Sequence, residues 1–213
     1  MNCDDLASSA TPVVFVVDDD LSVRESLESL VQSAGWKAET FASAQAFLRR
    51  PQALTPHCLV LDVSLPDVGG LELQQRLSPQ RTEMPIIFLS GYSDIATTVK
   101  AMKAGAVEFL TKPFRDDTLL DAIRDAIKRS GALLGSAAEM RRLRKRYESL
   151  TAREVEVMAL VTSGLLNKQV AADLGISEIT VKAHRGKVMK KMGAHSLADL
   201  VGLAARLAVV PAG

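Results

Sequence analysis

The sequence predicts an α/β domain with a five-stranded parallel sheet wound by helices on both faces, followed by a small all-α domain. Three observations predict this architecture. The first half of the chain alternates short apolar runs with longer amphipathic stretches. The apolar runs lack polar alternation, which is typical of parallel strands covered on both faces. After residue 148, four helical patterns follow one another with signals for their starts and ends.

Five apolar runs are predicted strands, and each is followed by a predicted helix. The predicted strands are Val13–Val17, Lys37–Phe41, Cys58–Leu61, Ile86–Leu89 and Glu108–Thr111. The predicted helices are Ser22–Ala34, Ala44–Arg49, Gly69–Leu77, Ile95–Ala104 and Asp116–Arg129. Repeated βα units of this length form a doubly wound sheet, and its ligand site lies beyond the carboxyl ends of the strands.

The segment after this domain loses the helical pattern. Gly131 and Gly135 disfavour a helix, so we predict a linker at 130–147. The linker contains a basic run: Arg141, Arg142, Arg144, Lys145 and Arg146. We interpret this run as a solvated linker surface, with attraction to a DNA backbone as the alternative.

Cap signals define the predicted helices of the second domain. Thr151 and Glu154 have the spacing of a capping box. Glycines just past three helix ends, Gly164, Gly175 and Gly193, supply the left-handed residue that such ends use. Asn167, Ser177 and Ser196 are predicted N-caps. The helices are predicted at Ala152–Ser163, Lys168–Leu174, Glu178–Lys191 and Leu197–Ala208.

Composition and charge limit the class of protein. At 213 residues, the chain can hold two domains that each bury a core. Without an apolar window of about 18 residues or a basic amino-terminal region, neither a spanning helix nor a secretory signal is expected. Two cysteines are too few for a disulfide framework, and Cys58 is predicted to be a buried thiol. A cytoplasmic protein is expected.

The two halves of the chain differ in charge. Residues 1–130 carry a net charge of −5, and residues 131–213 carry +6. The basic second half is suited to a polyanionic partner.

Charged side chains follow three of the predicted strands. Asp18 and Asp19 follow the first strand, Asp62 follows the third, and Lys112 follows the fifth. Hard divalent cations prefer oxygen ligands and keep several waters. We therefore predict a Mg²⁺ (or Mn²⁺) site with Asp19 and Asp62 as direct ligands, Asp18 acting through water, and the Ser64 backbone carbonyl completing the protein ligands.

The same cluster suggests phosphoryl chemistry. A carboxylate can act as the nucleophile and form an acyl phosphate, and Asp62 is the candidate because of its central position. The Lys112 ammonium would neutralise a transferred phosphoryl group, and the Ser90 hydroxyl would contact one of its oxygens.

Residues 13–129 resemble the receiver domain of bacterial two-component response regulators, a flavodoxin-like fold. The similar stretches are Val16–Asp20, Leu61–Pro66, Leu89–Gly91 and Lys112–Phe114. The resemblance implies that Asp62 is the phosphoacceptor, that Asp18 and Asp19 hold Mg²⁺, and that Lys112–Pro113 is a cis peptide. It also implies that Ser90 and Phe109 act as a switch pair. Leu65 and Ser90 stand where the family more commonly has Met and Thr.

In the basic second domain, two predicted helices joined at residues 175–177 form a helix-turn-helix. When the longer helix is projected at about 100° per residue, Val181, Val188 and Met192 face the core. The exposed face is predicted to carry Ile179, Lys182, Ala183, Gly186, Lys187 and Lys190. Such lysines contact phosphates or guanine edges, and small residues allow close approach to the duplex. We interpret His184 as a structural residue, and Arg185 as either a phosphate contact or a partly buried residue.

Residues 148–208 resemble the LuxR-type DNA-binding domain, and the run Val188–Met192 is similar to its FixJ-like branch. The similarity rests on Leu150–Glu154, Asn167–Ala171 and Thr180–Arg185. It adds Asn167, Lys168 and Thr180 to the predicted DNA contacts. In this family the last helix dimerises, and here Leu197, Leu200, Val201, Ala204 and Leu207 form an apolar stripe that suits either a core or a dimer interface.

The resulting hypothesis is a response regulator of the NarL/FixJ type rather than an enzyme. Its predicted parts are an amino-terminal tail (1–11), a receiver (12–129), the linker (130–147) and a LuxR-type domain (148–213). A histidine kinase would phosphorylate Asp62, the chain would form a homodimer, and promoter DNA would be bound. Two alternatives remain: a metal-dependent aspartyl-phosphate phosphatase, which would need a general acid where Ser64 stands, and a regulator that works without phosphorylation.

Overall fold

The computed structural model describes residues 11–51, 53, 55–77, 84–91 and 95–207. The chain divides into two compact units, Met1–Gly135 and Ser136–Gly213. Residues 1–10 of the predicted tail, and Ala208 at the end of the last predicted helix, lie outside the described residues. Among the described helices, none combines the length and apolar character that crossing a bilayer requires.

The first unit is built on a five-stranded parallel sheet, as predicted. Its strands are β1 (Val13–Val17), β2 (Lys37–Phe41), β3 (His57–Asp62), β4 (Ile86–Ser90) and β5 (Glu108–Thr111). Their order across the sheet is β2-β1-β3-β4-β5, and every neighbouring pair is parallel. The strand order reverses next to β1, so the carboxyl ends of β1 and β3 form the point where such sheets bind ligands.

Helices follow the strands in alternation. They are α1 (Leu21–Ser33), α2 (Ala44–Leu48), α3 (Gly70–Leu77), α4 (Ile95–Lys103) and α5 (Asp116–Glu148). Helix α1 begins directly after β1 because the Asp20 carboxylate accepts hydrogen bonds from the backbone N–H groups of Ser22 (2.8 Å) and Val23 (3.3 Å). The third acid of the Asp18–Asp20 run is therefore a helix cap.

Each face of the sheet buries its own apolar core. Phe15, Phe47 and Phe88 lie in the core on one face. Cys58 lies in the core on the other face, together with apolar side chains from α1 and α5. Complete burial raises the pKa of the Cys58 thiol, so this cysteine is the inert core thiol that its apolar surroundings predicted.

Strand register brings the predicted site residues to one edge. Val17 lies opposite Leu61, so Asp18 and Asp62 emerge side by side at the ends of β1 and β3. Ser90 ends β4 and pairs with Thr111, the residue before Lys112. The predicted convergence at the carboxyl edge of the sheet is confirmed.

The first residue of α3, Gly70, packs too closely against β3 and β4 to carry a side chain. A Cβ at this position would lie 2.5 Å from the Asp62 carbonyl oxygen and 3.1 Å from a ring carbon of Phe88. We expect Gly70→Ala to lower the free energy of unfolding by about 1–3 kcal/mol, because backbone and core must shift. Chemical denaturation measures this. Gly69→Ala is the control: its Cβ meets nothing within 4 Å, and a comparable loss there would contradict the steric explanation.

The predicted end of the last receiver helix was wrong. Helix α5 does not end at Arg129 but continues to Glu148, through Gly131, Gly135 and the basic run. Its early turns bury Ile123 and Ala126 against the sheet, and Leu143 is buried in the core of the second unit. Each glycine costs a helix about 1 kcal/mol, which packing at both ends offsets.

The second unit contains the four predicted helices. They are α6 (Ala152–Thr162), α7 (Asn167–Leu174), α8 (Glu178–Met192) and α9 (Leu197–Arg206). The capping box at Thr151, the N-caps at Ser177 and Ser196, and positive φ at the three predicted glycines are confirmed. The predicted N-cap at Asn167 was wrong: Asn167 is the first helical residue, and the Gln169 side chain accepts the Leu166 N–H instead.

Candidate functional site

Lys112 joins the two buried carboxylates at the sheet edge. Its Nζ lies 2.8 Å from Asp18 Oδ2 and 2.8 Å from Asp62 Oδ1. Asp18 is 2% exposed and Asp62 is 7% exposed, so both charges are largely shielded from water. Such an ion triad is stable only with its hydrogen bonds satisfied, because desolvating two carboxylates costs several kcal/mol.

The remaining carboxylate oxygens are held by the backbone. Asp62 Oδ2 accepts the Ser64 N–H at 2.6 Å, and Asp18 Oδ1 accepts the Asp20 N–H at 3.0 Å. The Arg24 guanidinium donates to the Asp18 carbonyl at 2.7 Å. The two bonds from the Ser64 and Asp20 N–H groups fix the orientation of the carboxylates before any ligand arrives.

The carboxylates also set the charge of Lys112. Partial burial would lower the pKa of its ammonium group, but hydrogen bonds to Asp18 and Asp62 outweigh this and raise the pKa above the usual lysine value. Lys112 is therefore a fixed positive charge at neutral pH. The Lys112–Pro113 peptide is cis, as predicted.

The other predicted residues of this pocket lie at the same strand ends. Asp19 is exposed, next to the buried Asp18. Ser90 is buried, and its carbonyl accepts the Lys112 backbone N–H at 2.7 Å. Phe109 is half-buried, with its ring centroid 6.1 Å from that of Phe88.

The donor set contains oxygen ligands of the kind that Mg²⁺ prefers. Within the described part of the chain, however, no group of three or more His, Cys, Asp or Glu side chains is arranged to hold a metal ion. Asp18 and Asp62 are instead joined through the Lys112 ammonium. Two carboxylates and a backbone carbonyl suffice for Mg²⁺, which typically binds through one or two carboxylates and keeps several waters.

Sequence reasoning missed Asp67, in the loop after β3. Its Oδ1 accepts the backbone N–H of Ala44 at 3.4 Å, and its Oδ2 accepts that of Gln45 at 3.0 Å. These partners lie more than 20 residues earlier in the chain. The Pro66–Asp67 dipeptide signals a turn, but no local pattern identifies a partner so distant in sequence.

Helix α8 has the two faces that its sequence predicted. Val181, Val188 and Met192 are buried. Ile179 is 80% exposed. The remaining exposed residues of the predicted contact face are Lys182, Ala183, Gly186, Lys187 and Lys190. The ammonium groups of its three lysines make this face positive.

The other predicted contacts flank this face. Lys168 is exposed at the start of α7, and Thr180 is half-buried in the first turn of α8. Arg185 is half-buried, and its Nη1 donates to Asn167 Oδ1 at 3.2 Å. That bond orients Arg185 from the neighbouring helix. His184 is also half-buried, and its buried Nδ1 has no hydrogen-bond partner among the residues that the structure describes, which fits a packing residue.

A partly buried ion pair, also missed from sequence, fixes the end of α8. Lys191 Nζ donates to Glu154 Oε2 at 2.6 Å and to the Ser149 carbonyl at 2.9 Å. The bond from Lys191 and that from the Thr151 N–H lower the pKa of Glu154 to about 2. The ionised pair therefore ties α8, the helix that carries most of the predicted DNA contacts, to the first turn of α6.

This pair predicts a pH-dependent contribution to stability. Because the folded-state pKa of Glu154 lies below the ordinary value of 4.5, its stabilisation is complete above that value and is lost as pH falls toward about 2. We expect Glu154→Gln to be less stable than wild type at pH 7, and the difference to shrink toward zero as pH falls through about 2. Gln keeps the capping-box acceptor, so the comparison isolates the charge.

Urea denaturation of wild type and Glu154→Gln at several pH values measures this difference in the free energy of unfolding. Glu156→Gln is the control, since it removes an exposed pair with Arg153. A stability difference for Glu154→Gln that stayed constant from pH 7 to pH 2 would contradict the assignment.

Two apolar surfaces remain exposed among the described residues. On α4 they are Ile95, Val99 and Met102, and Ile95 is 85% exposed. On α9 the predicted stripe divides: Leu200 and Ala204 are buried in the core, whereas Leu197 and Val201 are partly exposed. Leu207 packs at the edge of the core.

Two family models match the chain. Residues 14–124 match the response regulator receiver domain, and residues 148–204 match the luxR family of bacterial regulatory proteins. The two matches cover the sheet-edge pocket and the helix α8 surface, respectively.

Relatives match over nearly the full length. Nodulation protein W of Bradyrhizobium diazoefficiens is 48% identical over 202 residues, 95% of this chain and 89% of the relative. Transcriptional regulatory protein FixJ of the same species is 42% identical over 193 residues, 91% of this chain and 94% of FixJ. The solved structure of the response regulator StyR is 46% identical with a TM-score of 0.84, covering 92% of this chain and all of that one.

Proposed function

The chain belongs to the bacterial response regulators that join a receiver domain to a LuxR-type DNA-binding domain, and from this premise we propose a phosphorylation-controlled regulator of transcription whose phosphoacceptor is Asp62. The observation that carries the proposal is the Asp18–Lys112–Asp62 triad at the carboxyl edge of the sheet. It provides a nucleophile, a fixed positive charge and an additional carboxylate at one point.

The triad supports a specific transfer step. A carboxylate oxygen of Asp62 attacks the phosphorus of a phosphohistidine on a sensor kinase, so a P–O bond forms as the P–N bond breaks. The imidazole leaves with the electron pair and takes up a proton. The Lys112 ammonium neutralises the negative charge that arrives, and the Ser90 hydroxyl at the end of β4 donates to a phosphoryl oxygen.

The pocket is suited to a divalent cation, Mg²⁺ or Mn²⁺. We propose Asp18, Asp19, Asp62 and the Ser64 carbonyl as the protein's share of the ligands, all of them oxygens. When bound, the cation offsets repulsion between the carboxylates and the phosphoryl oxygens.

The positive face of α8 is the proposed DNA-binding surface. Lys182, Lys187 and Lys190 reach phosphates or guanine edges, and Gly186 and Ala183 let the helix enter the major groove. The proposed flanking contacts are Asn167, Lys168, Ile179, Thr180 and Arg185. The exposed apolar side chain of Ile179 is suited to contact with a thymine methyl group.

Dimerisation would couple the two units. The exposed apolar side chains of α4, Ile95, Val99 and Met102, support an interface that forms when Ser90 and Phe109 respond to the phosphoryl group. Leu197 and Val201 support a second contact through α9. A dimer bound to two half-sites gains from effective concentration, which raises DNA affinity without new contacts.

Incubation with Mg²⁺ and acetyl phosphate tests the proposal against the phosphatase alternative. We expect one phosphoryl group per chain, mapped to Asp62 by peptide mass spectrometry, and no sustained hydrolysis of phosphomonoesters. A phosphatase would need a general acid two residues after Asp62, and the Ser64 hydroxyl at that position is a far weaker acid than a carboxylic acid. Repeated turnover of p-nitrophenyl phosphate would favour the phosphatase instead.

A further inference from the structure

The loop between β3 and α3, residues 63–69, carries Ser64 and is held at both ends. Val63 donates its N–H to the Leu89 carbonyl at 3.0 Å, and Gly70 donates its own to the Val63 carbonyl at 3.0 Å. Between these ends, Leu65 and Val68 are buried in the sheet core. The loop is therefore part of the packed structure, although Ser64 itself is exposed.

Asp67 adds a tether from this loop to a second element. Its two carboxylate oxygens accept the Ala44 and Gln45 N–H groups, which are the free donors in the first turn of α2. Partial burial would raise the pKa of Asp67, but the N–H groups of Gln45, Val68 and Ala44 hold it below the usual value. The tether is therefore ionised at neutral pH.

We propose that Asp67 is a positioning residue for the phosphoryl site: by holding the 63–69 loop against α2, it fixes the backbone of Ser64. This inference rests on the proposed function, in which the Ser64 carbonyl is a cation ligand. Ser64 is three residues from Asp67 and bonds Asp62 Oδ2 through its N–H at 2.6 Å. Without the Asp67 bonds to α2, the Ser64 N–H is held less firmly against Asp62 Oδ2, and the Ser64 carbonyl is positioned less firmly as a cation ligand.

A matched variant separates this role from simple helix capping. Ser43 is the N-cap of α2, and its Oγ accepts the Ala46 N–H at 3.1 Å. Ser43→Ala therefore weakens the same helix start but leaves the 63–69 loop attached. Asp67→Ala weakens the helix start and also releases the loop. Asp67→Asn keeps one carbonyl acceptor, so its properties should lie between those of wild type and Asp67→Ala.

The experiment measures two quantities in the full chain. The first is the exchange rate of the Ser64 amide hydrogen in metal-free protein, by NMR. We expect Asp67→Ala to raise it about tenfold or more, and Ser43→Ala to leave it unchanged. The second is Mn²⁺ affinity, by electron paramagnetic resonance. We expect Asp67→Ala to weaken it about tenfold, as loss of groups that orient metal ligands generally does.

The outcomes are distinguishable. Equal Ser64 exchange and equal Mn²⁺ affinity in wild type and Asp67→Ala would overturn the positioning role, whatever the effect on thermal stability. The same changes in Ser43→Ala as in Asp67→Ala would also overturn it, since capping alone would then explain both. If wild type itself bound no Mn²⁺ and accepted no phosphate, the proposed function would fail instead.

Discussion

Asp62→Asn is expected to abolish phosphoryl acceptance from both kinase and small-molecule donors. An amide is a far weaker nucleophile than a carboxylate and forms no acyl phosphate. The fold should persist, because Lys112 keeps its 2.8 Å bond to Asp18 and the Asn side-chain oxygen still accepts the Ser64 N–H. Intact-mass spectrometry after treatment with acetyl phosphate and Mg²⁺ measures the effect.

Asp121→Asn is the matched control for this substitution. Asp121 is an exposed carboxylate of the same chemistry, paired with Arg124 on α5. The Asp121→Asn chain should accept phosphate at Asp62 as wild type does. Labelling retained in Asp62→Asn would show that another residue is the acceptor and would remove the role assigned to the triad.

Gly186→Glu is expected to lower affinity for duplex DNA by about a hundredfold, equivalent to about 2.7 kcal/mol. Gly186 lies among the lysines on the exposed face of α8, and a Cβ there meets nothing within 4 Å of the protein. The free protein therefore accommodates the new side chain. In the complex, a carboxylate would lie against phosphates and block close approach.

Gly186→Ala provides the control. A methyl group should change DNA affinity far less, and it should stabilise the helix by about 0.5–1 kcal/mol relative to glycine. Fluorescence anisotropy with a duplex selected from random sequence by the wild-type chain measures affinity, and urea denaturation measures stability. Undiminished DNA binding by a folded Gly186→Glu chain would place the interface elsewhere.

The sheet and its pocket were predictable because their signals are local. Apolar runs indicate the strands of a parallel sheet, and the charged residues at or just after the ends of β1, β3 and β5 mark the edge where those charges meet. Once Asp18, Asp62 and Lys112 were assigned to strand ends, their convergence followed from topology. The faces of α8 were predictable for a similar reason, since its apolar residues recur at helical spacing.

Contacts that depend on packing between distant segments were not predictable. The sequence near Gly131 and Gly135 disfavours a helix, yet burial of Ile123 at one end of α5 and of Leu143 at the other sustains it. Asn167 has the chemistry of an N-cap, but its side chain accepts from Arg185 instead. In each case the partner is distant in sequence, and its identity depends on the folded structure.

The most direct test of the account compares the DNA affinity of the full chain before and after phosphorylation, with Asp62→Asn treated identically. A gain from two linked half-sites predicts that phosphorylated wild type binds at least about tenfold more tightly, whereas Asp62→Asn does not change. Equal affinity of the phosphorylated and unphosphorylated wild-type chains would contradict the claim that the pocket at the sheet edge controls the DNA-binding helix.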